Sequence, residues 1–133
     1  MKALRLLYQA WSTKPTAVTI PVVMFPIGIA ALILGDDASR AFANLGGALL
    51  IRLMGAAMVT GSVLTIVSIL RDDASVEVIG LAITALGTAI YSAGVIIGLG
   101  SQGLVAGLGY LAITVAFLGR IRLLVCAARP DDP

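Results

Sequence analysis

The chain has 133 residues, 59% of them hydrophobic and only 12% charged, with a mean hydropathy of +1.06 and a formal net charge of +2. Soluble domains carry about 25% charged residues, so this composition excludes a soluble globular fold and leaves a single membrane domain. There is no His and one Cys, Cys126, too few ligands for a metal cluster or a disulfide framework. The basic residues form neither a dense patch nor an aromatic platform, so no nucleic acid, metal or cofactor is expected as a partner.

Residues 1–14 read as a short amphipathic interfacial helix. Leu4, Leu7, Tyr8 and Trp11 share one helical face, opposite Lys2, Arg5, Gln9 and Ser12. A basic face set against Leu and Trp suits a helix lying on an anionic leaflet. Lys2, Arg5 and Trp11 are its interface anchors. Pro15 ends that helix and turns the chain into the bilayer.

Four spans follow within a transmembrane domain of residues 15–126, at approximately 17–35, 45–70, 78–98 and 103–124. The first contains Pro21, expected in its opening turn where a missing N–H costs nothing. It also contains Pro26, deeper and expected to bend the helix. A cleaved signal peptide would need a cleavage site close behind the apolar run. Ala41-Phe42-Ala43 lies beyond the charged loop instead, so an uncleaved span is the better reading.

The second span carries Arg52 near its start, the one ionisable group expected inside any span. At that depth an arginine can snorkel to the outer surface or meet Asp36 or Asp37, which makes it an anchor or an anion-attracting group. Gly55 and Gly61 give this helix a small-residue face.

Between Glu77 and Arg120 the sequence runs 42 residues without a charge. As one helix that run would extend about 63 Å, roughly twice a bilayer core. It must therefore cross, turn and cross again. The glycines of Gly98-Leu99-Gly100-Ser101-Gln102-Gly103 permit the reversal. Gly80, Gly87 and Gly94 recur every seven residues on the third span, and Gly94/Gly98 and Gly103/Gly107 have GxxxG spacing. Such faces let helices approach closely where no hydrophobic force drives them together. They serve packing within one bundle or between copies equally well. The fourth helix continues through Arg120 and Arg122, whose stems can reach the interface as anchors, into a short polar tail at 127–133.

Ile33-Leu34-Gly35-Asp36-Asp37-Ala38-Ser39 is echoed by Ile69-Leu70-Arg71-Asp72-Asp73-Ala74-Ser75. The echo reads either as a worn inverted repeat or, preferred here, as helix capping by Asp and Ser with Glu77 favouring the positive end of the next helix. With the amino terminus inside, Lys2, Arg5, Lys14, Arg71, Arg120, Arg122 and Arg129 collect on the cytoplasmic side against Arg40 and Arg52 outside. That bias places both termini of a multi-pass membrane protein in the cytoplasm. The expected fold is an all-α integral membrane protein, four transmembrane helices in a compact bundle behind the interfacial arm.

No catalytic site is expected, because Ser62, Ser68, Thr84 and Ser92 have no base in reach within the spans. No buried Asp, Glu or His is expected to relay protons. The organisation of the chain (the Lys2/Arg5 arm, four spans, Arg120-Ile121-Arg122 and the tail from Arg129 to Pro133) resembles small multi-span holin-type membrane proteins of actinobacterial phages. The resemblance implies accumulation in the inner membrane and triggered homo-oligomerisation that lets lytic enzymes out. The alternatives from composition are a non-catalytic accessory or scaffold subunit among other membrane subunits, and a small channel or transporter.

Overall fold

A computed structural model of the protein describes residues 15–35 and 48–127. The interfacial arm with Lys2, Arg5 and Trp11, the loop from Asp36 to Gly47 and the polar tail lie outside the described residues. Those described form four helices: α1 (Pro15–Leu34), α2 (Ala48–Arg71), α3 (Ala74–Leu99) and α4 (Leu104–Ala127), with a 3-10 turn at Gly100–Gln102 before α4. The last three are long and apolar enough to cross a membrane, and α1 is a shorter apolar helix ahead of them.

The ends of the helices follow local chemistry. Pro15, not Pro21, occupies the first turn of α1; its fixed φ and missing N–H suit that position. Pro21 and Pro26 both lie inside the helix, where their rings leave the carbonyls four residues earlier without their usual donor. α2 ends with Asp72 in the left-handed region at φ 53°, a conformation Asp tolerates better than most side chains. Asp73 then caps α3, its Oδ1 accepting from the N–H groups of Ser75 at 3.0 Å and Val76 at 3.3 Å. The earlier Asp-Asp-Ala-Ser lies outside the described residues.

Each helix packs antiparallel against the next in the chain, and the closest approaches fall at glycines. Gly28 of α1 and Gly55 of α2 face each other so closely that a Cβ on Gly55 would stand 2.7 Å from the Gly28 carbonyl oxygen. Gly61 of α2 and Gly80 of α3 make the second crossing. A Cβ on Gly61 would stand 2.7 Å from both the Gly80 oxygen and the Thr84 nitrogen. In the third crossing Gly103, just ahead of α4, and Gly107 of α4 lie against Val95, Ile96 and Ser92 of α3. In a bilayer the gain from these contacts is van der Waals packing, since lipid tails are as apolar as the side chains they would replace.

Two apolar clusters fill the space beside these crossings. Ala31, Ile51, Met54, Met58 and Val95 form one. Met24, Leu81, Ala85 and Phe117 form the other, through which α1, α3 and α4 meet. Direct helix-to-helix packing joins α1 to α2, α2 to α3 and α3 to α4; a cleft separates the flanks of α1 and α4.

Candidate functional site

The buried polar side chains sit where helices cross. Thr65 Oγ1 donates to the Gly61 carbonyl (2.8 Å), Thr84 Oγ1 to Gly80 (2.9 Å) and Ser68 Oγ to Thr65 (2.7 Å). Each hydroxyl thus finds a carbonyl within its own helix, so small polar residues can fill the α2–α3 contact without stranding a donor. Between α3 and α4 the bonds run across. Thr88 and Thr114 share a hydrogen bond of 2.9 Å, and Ser92 Oγ donates to the Gly107 carbonyl at 2.7 Å. Tyr91 and Tyr110 stack edge to face beside them, with centroids 4.4 Å apart. Among the described residues Ser62 Oγ is the one buried side-chain polar atom without a hydrogen-bond partner.

A charged clasp lies at the end of the bundle where α2 stops and α3 starts. Glu77, in the first turn of α3, is buried. Arg120 Nε and Nη2 both donate to its Oε1, at 3.1 and 3.0 Å. This corrects two sequence expectations. Arg52 is not the single ionisable group of interest, because a buried carboxylate exists. Arg120 does not simply snorkel, because its guanidinium is tied across to α3. The physical reason is register: once α3 begins at Ala74, Glu77 falls within its packed face, and a carboxylate there must be paired.

The other expected site residues are distributed as follows. Gly55, Gly61, Gly80, Gly103 and Gly107 lie at helix crossings inside the chain. Gly87 faces α2, where a Cβ would meet Met58 Cγ at 3.1 Å. Gly94 is buried and Gly98 half-buried. Arg52 and Arg122 are exposed, and the loop acids expected near Arg52 lie outside the described residues. Gly28, absent from the expected packing set, makes the α1–α2 crossing.

α4 is the least covered helix: 17% of its most apolar stretch is buried, against 50% for α3. On its outer side Leu104, Leu108, Leu111, Val115 and Leu118 are each 44–60% exposed. They recur at alternating steps of four and three, the spacing of a heptad seam. Alongside runs a stripe of small exposed residues, Gly109, Ala112, Ala116 and Gly119, and a Cβ on Gly109 or Gly119 would touch nothing within 4 Å. Large knobs beside small holes are what one membrane helix offers another. In the sequence this leucine seam shares its apolar character with the whole span, so its spacing alone does not set it apart.

Comparison of the chain with protein-family models, with curated proteins and with solved structures gives no match. The chain is a helical membrane-spanning protein whose candidate site is an uncovered helix face.

Proposed function

We propose that the protein acts by self-assembly in the cytoplasmic membrane through the outer face of α4, and that the assembled form opens the membrane in the manner of holin-type proteins. The observation that carries this reading is the Leu104–Leu118 seam with its flanking stripe of small residues, left uncovered by a chain that uses its other glycine faces internally. Both termini lie in the cytoplasm on this reading, as the distribution of Lys and Arg favours. Permeation through a single chain has less support. Apart from Ser62, the buried hydroxyls that would line a polar path are spent on carbonyls and on each other at helix contacts.

The test combines a contact and an activity. Cys126 is free, exposed and about two turns beyond the seam, so parallel pairing of two α4 helices that continues past Leu118 brings the two thiols together. Mild oxidation of membranes is expected to give a disulfide-linked dimer that Cys126→Ser abolishes. Induced expression in a bacterial host is expected to collapse the membrane potential and admit dye. Ala112→Phe should block both while leaving the chain in the membrane. An intact potential at verified expression overturns the permeabilising reading. An intact potential with no dimer supports an accessory subunit whose α4 face is covered by another membrane protein.

A further inference from the structure

The cleft between α1 and α4 has a volume of about 330 Å³ and is lined by Ile20 and Pro21 of α1, Leu81 of α3, and Ala116, Phe117, Gly119, Arg120 and Leu123 of α4. We propose that it binds one acyl chain of an anionic phospholipid, with Arg120 taking the phosphate. The cleft shares Ala116 and Gly119 with the small-residue stripe beside the Leu104–Leu118 seam, but its Arg120 end lies beyond the seam, and lipid binding there does not require assembly.

The cleft is a half-open groove, apolar along its walls, with the Arg120 guanidinium as its one charged lining group. The cleft exists because α4 presents Ala116 and Gly119 there, so its wall recedes over a floor of Leu81 and Phe117.

Its position suits a lipid. Ile20 and Pro21 lie early in α1, Leu81 early in α3 and Leu123 late in α4. The cleft therefore opens at the end of the bundle that carries Arg71, Asp72, Asp73, Glu77, Arg120 and Arg122. Of the five N–H donors of the Arg120 guanidinium, Glu77 takes two, and the rest have no partner among the described residues. The side chain is 27% exposed, and the fork is already oriented, which favours a phosphate oxygen as the next acceptor. Exposed Arg71 and Arg122 offset Asp72 and Asp73 at the same end, so the preference for an anionic headgroup rests on the open donors of Arg120. Glu77 on this view is a positioning residue.

The apolar part of the site gives little selectivity, because the chain leaves a bilayer as apolar as the cleft. Selection rests on the headgroup, and the experiment reads it. The full chain is placed in nanodiscs of equimolar phosphatidylglycerol and phosphatidylcholine with identical acyl chains, and lipids retained after release are counted by native mass spectrometry. The wild type is expected to keep one phosphatidylglycerol per chain at least fivefold over phosphatidylcholine. Gly119→Leu fills the cleft from a position where a Cβ meets nothing within 4 Å, and should lower retention of both lipids about tenfold. The double variant Glu77→Gln/Arg120→Gln keeps a neutral hydrogen-bonded pair and should bring the headgroup preference to about one. Equal retention of the two lipids by the wild type overturns the proposal, as does unchanged retention in Gly119→Leu. Loss of a dimer in Gly119→Leu with lipid retention unchanged overturns it in favour of a second copy in the cleft.

Discussion

Glu77 and Arg120 stand 43 positions apart in the sequence and meet through two hydrogen bonds to one carboxylate oxygen. They tie the first turn of α3 to the last third of α4, and the burial of the two partners is unequal: the side chain of Glu77 is 8% exposed, that of Arg120 27%.

That inequality sets an order of damage. Arg120→Ala leaves a carboxylate buried without its partner, a change expected to cost about 3 kcal/mol. Glu77→Ala leaves a guanidinium that can turn to water or phosphate, so its cost should be smaller by at least 1 kcal/mol. Unfolding in mixed micelles by titration with a denaturing detergent measures both. Equal costs would show that the pair is not buried as the geometry has it.

The glycines divide into two groups that alanine substitution should separate. Gly61→Ala and Gly80→Ala push a Cβ into the backbone of the facing helix, which cannot yield as a side-chain tip can. Each should destabilise the fold by about 1–3 kcal/mol. Gly109→Ala and Gly119→Ala meet open space and should stay within about 1 kcal/mol of the parent. The same unfolding assay ranks all four, and an inverted order would contradict the crossings described.

Thr88 and Thr114 share a hydrogen bond between α3 and α4. A double-mutant cycle with Thr→Val at each position should give a coupling of about 0.6 kcal/mol, the usual scale for such bonds in membranes. A coupling indistinguishable from zero would mean that both hydroxyls are content with the carbonyls of Ala85 and Tyr110, which they also reach.

Two buried serines should respond oppositely. Ser62 Oγ has no partner, so Ser62→Ala removes an unsatisfied polar group and should be neutral or stabilising by up to about 1 kcal/mol. Ser92→Ala withdraws the donor from the Gly107 carbonyl and should cost about 1 kcal/mol. Thermal aggregation midpoints in a fixed detergent provide the comparison.

Much of the architecture was legible because the bilayer imposes hard constraints. Forty-two uncharged residues cannot lie in one span, and the glycines after Gly98 showed where the chain turns back. Asp73 was legible as a cap because the capping bond is local, reaching only two or three residues ahead. Pro21 was misplaced by the same local logic, since Pro15 fills the first turn more easily and α1 starts there.

What the sequence by itself determined is the solvent, the all-α class, the approximate spans and the supply of small residues, all of which follow from composition and short-range spacing. Tertiary structure alone decided which glycine meets which: Gly28 with Gly55, Gly61 with Gly80, and Gly103 and Gly107 with the end of α3. It also paired Glu77 with Arg120, opened a cleft beside Gly119 and left the leucine seam of α4 uncovered. The reason is that small residues are permissive. They allow close approach along several helix faces at once, and only the relative rotation of packed helices selects which faces are used and which remain for a partner.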